Sequence, residues 1–365
     1  MTIKEVISIL ESQIAIPQAE DFDNVGLLCG VPDRNVSGVL FCHDALESVI
    51  DEAVTRNCNL VVCFHPIIFS GLKSITGKNY VERAVLKAIE NKIAIYAIHT
   101  AFDNDYFGVN AGICHQLGLK NLKILQPKKN NLKQLTVYVP NEHSEQLKEA
   151  LFSAGAGNIG FYDECSFKIN GNGTFRPIEG SNPFSGQQNV TENADESMIS
   201  VIFEAYKQNQ IIAAMKKAHP YEEVAHQIYS LDNENQYSGL GMYGEFDIEM
   251  DEKDFLKFIK DKFNVEVIKH SDFTDKKIKR VAVLGGSGAS GIKFALAKKC
   301  DAYITGDLKY HDYFLAESKM LICDVGHYES EQWVAQQLFE ILSQKISTFA
   351  ILKSSEKTNP VNYFL

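Results

Sequence analysis

The sequence predicts an α/β protein in which a larger domain is interrupted by a smaller α+β domain of ferredoxin-like pattern. Three observations carry this. Up to about residue 127, short β-branched runs alternate with helical periods, the pattern of a parallel sheet covered on both faces. Between residues 128 and 246 the order changes to strand–helix–strand–strand–helix–strand. The first alternation then resumes over 247–365. The expected domains are therefore 1–127 and 247–365, forming one body, with 128–246 inserted.

The elements follow in order. Ile3, Val6, Ile7 and Leu10 share one helical face, so the N-terminal stretch reads as an amphipathic helix and not as a signal peptide. Val39–Cys42 reads as a strand, Ala45–Arg56 as a helix and Leu60–Cys63 as a strand. Tyr80–Asn91 reads as a helix and Ile93–Ile98 as a strand. After the polar break at residues 128–131 come a strand (Leu135–Val139), a helix (Glu142–Ala154) and a strand (Gly160–Phe167). An excursion rich in Gly, Asn, Ser and Pro follows (Gly171–Ser197). A strand (Met198–Tyr206), a helix (Asn209–Ala218) and a strand (Val224–Leu231) complete the inserted pattern. Beyond it lie a helix (Phe255–Phe263), a strand (Val281–Leu284) and a helix (Lys293–Lys299). Two strands (Ala302–Thr305, Leu321–Cys323) and one helix from about Glu329 to Leu342 end the pattern.

Composition narrows the function. With 36 Lys+Arg against 47 Asp+Glu the net charge is −11, which gives no case for bulk nucleic-acid binding. No stretch reaches the ~18 uncharged apolar residues of a membrane span. The eight cysteines contain no C-x-x-C pair and several sit in apolar runs, as reduced core thiols of a cytoplasmic protein do.

Three strand ends carry groups able to ligate a metal. These are His65 before Pro66, His99 with Asp103, and His327 with Glu331 one helical turn later. Carboxyl ends of parallel strands are where α/β sheets build sites, and mixed His and carboxylate donors suit zinc, manganese or iron. Each piece alone is weak, and their recurrence on strand ends of one sheet is the signal. The run from Gly286 to Gly291 matches G-x-G-x-x-G, but the expected acid at the next strand end is displaced beyond a glycine, to Asp307. A tight turn beside the site is the better reading, with anion binding by its N–H groups as an intermediate one, and a dinucleotide cofactor is not expected. His219 before Pro220 reads as a helix C-cap.

These residues resemble the Nif-three-like metal-binding family, often labelled GTP cyclohydrolase 1 type 2 homologues. The resemblance rests on Phe22–Leu28, His65–Phe69, His99-Thr100-x-x-Asp103, Gly285–Gly288, Thr305–Asp307 and His327-x-x-x-Glu331, in the family's order. It implies an αβα sandwich with an inserted PII-like or CutA-like domain, and a hexameric ring. It implies metal ligation by His65, Asp103, His327 and Glu331, with one or two divalent ions per chain, zinc first and manganese, iron or magnesium as alternatives. Asp23, Phe64 and His99 would line the site. The family usually has two adjacent histidines before the proline; here the first is Phe64, which cannot ligate, so that a second ion is weakened or a group such as His99 or His311 compensates.

Two functions remain open. One is a hydrolase acting through metal-activated water on a nucleotide or phosphoester, with Glu331 bridging ions and His311 shuttling a proton. The other is a non-catalytic regulatory ring protein that senses a small ligand through its PII-like domain.

Overall fold

Thr2 and Glu5 open the first helix by capping one another. The Thr2 hydroxyl accepts the Glu5 N–H at 3.2 Å and the Glu5 carboxylate accepts the Thr2 N–H at 2.7 Å. The apolar face expected for this helix, Ile3, Val6, Ile7 and Leu10, is buried. The computed structural model describes residues 1–364. The chain divides into two units, one made of Met1–Gln126 with the chain from Tyr237 onward, the other of Pro127–Gln236.

The first stretch runs α1 (Ile3–Glu11), β1 (Gly26–Cys29), β2 (Gly38–Asp44), α2 (Glu47–Thr55), β3 (Leu60–His65), α3 (Tyr80–Glu90) and β4 (Ala94–Ala97). Then come α4 (Thr100–Asp103), α5 (Val109–Leu117) and β5 (Lys120–Lys128). The middle stretch is β6 (Leu132–Pro140), α6 (Ser144–Ser153), β7 (Ser166–Phe175), β8 (Glu192–Glu204), α7 (Gln208–Ala218) and β9 (His226–Leu231). The last is β10 (Asn235–Asp251), α8 (Glu252–Phe263), β11 (Lys269–His270), β12 (Lys277–Ser287), α9 (Ile292–Ala297), β13 (Ala302–Gly306) and β14 (Leu321–Asp324). It closes with α10 (His327–Glu331), α11 (Val334–Ser343) and β15 (Ala350–Lys353).

The larger unit holds two sheets where the alternation suggested one. The order is β1-β4-β3-β2-β15 in the first and β11-β14-β13-β12-β10-β5 in the second. Strand–helix alternation identifies strands but not their partners, and the antiparallel pairing of β10 with β12 starts a separate sheet. Along β2 and β3 the side chains alternate between two cores. Val39, Phe41, Leu60, Val62 and Phe64 face a core that also takes Val283 and Ile304 of the second sheet. Leu40, Cys42, Val61 and Cys63 face α2 and α3. All eight cysteines are free thiols and six are buried, as core residues.

In the Pro127–Gln236 unit, four strands in the order β7-β8-β6-β9 form an antiparallel sheet. Leu135, Val137, Ile199 and Val201 of that sheet bury against Leu147 and Leu151 of α6 and Ile211 and Met215 of α7. Three expectations shift. Residues 237–246, expected in the smaller domain, lie in β10, which pairs with β12 in the larger unit. The strand expected at Gly160–Phe167 runs instead over Ser166–Phe175, and β8 begins at Glu192, so pairing extends into both ends of the expected excursion. The helix expected from Glu329 is two helices, α10 and α11. His219 caps α7, its Nε2 bonded to the Tyr138 carbonyl at 2.8 Å.

Candidate metal centre

Strands β2 and β3 run parallel, with Asp44 opposite His65, so one sheet edge presents His43, Asp44 and His65 together. In the second sheet, β14 ends at Asp324, Gly326 turns the chain at φ 98°, and α10 opens with His327 and carries Glu331 one turn on. The two ends converge. Oε2 of Glu331 lies 3.0 Å from His43 Nε2, 3.3 Å from His65 Nε2 and 3.2 Å from His327 Nε2. His65 Nε2 and His327 Nε2 are 3.4 Å apart.

The opposite nitrogen of each ring meets a carboxylate. Asp44 takes His43 Nδ1 on Oδ2 and His65 Nδ1 on Oδ1, each at 2.9 Å, and Asp307 takes His327 Nδ1 at 2.7 Å. A carboxylate only accepts, so each Nδ1 carries the proton and each Nε2 points its lone pair, or a second proton, at Glu331. Thr358 completes Asp44 by donating its hydroxyl at 2.7 Å.

The carboxylates and imidazoles of the cluster are strongly coupled. Burial opposes the charge of Glu331, yet hydrogen bonds from His327, His43 and His65 hold its carboxyl well below the usual range. Burial also disfavours protonated His65 and His327, but Asp44 and Glu331 outweigh it at His65, which rises to about 10. Glu331 and Asp307 do the same at His327, which rises to about 9. Asp103 is buried, its Oδ1 has no hydrogen-bond partner, and burial together with the Glu331 charge pushes its carboxyl well up.

Tetrahedral zinc with ligand bonds of about 2.0–2.2 Å holds neighbouring donors about 3.3–3.6 Å apart. The donor spacings here are close to those edges. The donor chemistry, the spacing and the orphaned Asp103 oxygen all fit a divalent cation. There are two groups of possible ligands, His43–Asp44–His65 and His65–His327–Glu331, and within each group the donor atoms lie within 4.8 Å of one another.

Glycines make room for this cluster. Gly286 sits at φ 67°, and a Cβ there would overlap Glu331 Oε1 and come within 3.2 Å of His327 Nε2. The N–H of Gly285 donates to Asn110 Oδ1 and that of Gly286 to Ser330 Oγ. The glycine run is thus a turn that seats α10, and these two N–H groups are already engaged. A cleft of about 600 Å³ opens beside the cluster, walled by Asp44, His65, His99, His327, Phe69 and Tyr80. Asp23 is held by His99 Nδ1 at 2.8 Å and by the Thr100 N–H at 3.0 Å. Those bonds outweigh its burial and bring its pKa to about 2.

Of the residues singled out in the sequence, His65, His327 and Glu331 come together, and His99 lines the cleft. Asp103 is outside both ligand groups. Phe64 is fully buried in the core. His311 is exposed on a short turn after β13, its ring against Tyr310 and Phe314, and is not among the groups around Glu331. Sequence reasoning missed His43 and Asp44. Their signal was the same as for the others, a polar pair ending an apolar strand run, Val39–Cys42. Among the described residues no helix is long and apolar enough to cross a membrane.

Comparison with known proteins agrees over the whole length. Residues 1–360 match the family Duf34/NIF3 (NGG1p interacting factor 3). The chain is 36% identical to a Bacillus subtilis (strain 168) protein named GTP cyclohydrolase 1 type 2 homolog, covering 99% of this chain and 98% of that one. A Halalkalibacterium halodurans protein of the same name is 38% identical, with 98% of each covered. Among solved structures, a Bacillus cereus protein related to NIF3 superposes with TM-score 0.86 at 36% identity, covering 100% of this chain and 99% of that one. A Staphylococcus aureus protein gives TM-score 0.78 at 28% identity, with the same coverage. The chain belongs to the Duf34/NIF3 family.

Proposed function

We propose that this protein is a divalent-metal hydrolase acting on a nucleotide or phosphoester. The observation that carries the reading is the convergence of carboxylate-pinned imidazoles on the buried Glu331. His65, His327, Glu331 and Asp103 would hold the cation, zinc by preference for mixed nitrogen and oxygen donors. A cation there supplies Lewis acidity and an activated water.

The chain's own residues do the rest. The 600 Å³ cleft is of nucleotide size, and Phe69 and Tyr80 offer aromatic surface at its wall for a base. No Lys or Arg is among the cleft's lining residues, so a bound phosphate would depend on the cation for its counter-charge. His99, with Nδ1 pinned by Asp23, is placed at the wall to accept or return a proton at Nε2.

The test is metal analysis of purified protein, followed by turnover of GTP and generic phosphoesters in Zn²⁺, Mn²⁺ and Mg²⁺. Stoichiometric metal with turnover that falls at least about 100-fold in Glu331→Gln is expected. A second reading has its own observation. The Pro127–Gln236 unit carries a cavity of about 410 Å³ walled by Tyr138, Phe175, Phe184 and Tyr221, with Arg176 and Glu196 at its wall. Stoichiometric metal without turnover, and a small molecule retained in that cavity, would favour a regulatory ligand-sensing protein.

A further inference from the structure

We propose that His43, at the end of β2, is itself a ligand of the cation and adds a third imidazole to His65, His327 and the carboxylate donors. This rests on the metal reading above and deepens it.

The strand register places His43 first. Cys42 pairs with Cys63 and Asp44 with His65, which sets His43 alongside Phe64 on the neighbouring strand. Val39 and Phe41 face the same core as Leu60, Val62 and Phe64, so His43 and Phe64 share the inner face. Their ring centroids are 5.7 Å apart. Phe64 fills the core and offers no donor atom; its neighbour His43 offers one.

The orientation of the ring is the second observation. Asp44 holds Nδ1 of His43 with one oxygen and Nδ1 of His65 with the other. One carboxylate therefore sets two imidazoles to the same task, with both Nε2 atoms turned to Glu331 Oε2. A histidine whose Nδ1–H rests on a carboxylate, which turns its Nε2 toward the other donors of a cluster, has the ring orientation usual for a metal-ligating histidine. His43 shares this arrangement with His65 and His327, and of the three its Nε2 is nearest to Glu331, at 3.0 Å. The ring is also immobilised, being only 9% exposed and set edge-on to Tyr328 with centroids 4.9 Å apart. A ligand held this rigidly loses little freedom on binding.

The experiment uses the full chain, stripped of metal and reloaded with one equivalent of Zn²⁺. X-ray absorption at the zinc edge counts imidazole ligands, and competition with a chromophoric chelator gives the affinity. Three imidazoles are expected in the unaltered protein and two in His43→Ala. The affinity should fall by more than about 100-fold, beyond the ~10–100-fold of a residue that only orients a ligand. Two imidazoles in the unaltered protein, unchanged in His43→Ala, would overturn the proposal and leave the metal reading standing. A protein that binds no stoichiometric zinc would overturn both. Because the unaltered protein's ligand count decides the matter, a His43→Ala variant that folds poorly does not obscure it, and His43→Gln gives a second, more conservative affinity measurement.

Discussion

His65 and His327 hold protons that any cation must displace. With His327 raised to about 9 and His65 to about 10 in the metal-free protein, zinc affinity is expected to rise with pH up to that range and then level off. Chelator-competition titrations at intervals between pH 6 and 10 check this; affinity independent of pH would count against ligation by these imidazoles. The same shifts act on stability. A folded pKa above the ordinary 6.5 means that His65 stabilises the metal-free fold fully below about 6.5, and that this is lost as pH rises through about 10. Metal-free melting curves of wild type and His65→Gln should therefore converge across that window.

At the scale of elements, the site depends on a turn and a short helix more than on long regular structure. Gly286, buried near the end of β12, lies in the left-handed region, and its missing Cβ leaves space for Glu331. Gly286→Ala is expected to destabilise the metal-free protein by about 1–2 kcal/mol from backbone strain alone. Displacement of Glu331 should weaken zinc about tenfold or more, and urea melts with zinc titration read the two effects separately. Gly306 ends β13 against the start of α10, where a Cβ would come within 2.7 Å of the His327 backbone nitrogen. Thr2→Ala is the contrasting case. It removes a reciprocal cap far from the metal ligands, so about 1 kcal/mol of stability should be lost with zinc affinity unchanged.

At the scale of the larger unit, the residues of the candidate site come from both ends of the chain. His43 and His65 come from the first stretch of chain, and His327 and Glu331 from the last. A cation shared by them would tie two sheets together and is expected to raise stability by about 2.7 kcal/mol when free zinc is about 100 times its Kd. A thermal melt with and without chelator measures this. The smaller unit is not needed for that closure. Gly239 lies against the Gln126 carbonyl, so the two points where the larger unit's chain is interrupted are neighbours. Replacing 127–236 by a short Gly/Ser linker is expected to leave a folded protein with zinc affinity within about threefold of the full chain's, by the slow growth of loop-closure entropy with length.

Periodicity and strand-end chemistry were enough to read much of this protein from its residues. The amphipathic face of α1, the apolar cores of β2, β3, β13 and β14, and the helix-borne pair His327 and Glu331 follow from spacing alone, because local backbone geometry imposes those periods. The α/β class follows for the same reason. The tertiary structure decided what spacing does not encode: which strands pair, and so which strand ends meet. It separated one expected sheet into two and brought their edges together. It buried Phe64 and placed His43 at Glu331, and it left His311 in a peripheral turn. A histidine on β2 becomes a neighbour of a glutamate that follows β14 only when the two sheets pack, and they pack through residues far apart in the chain.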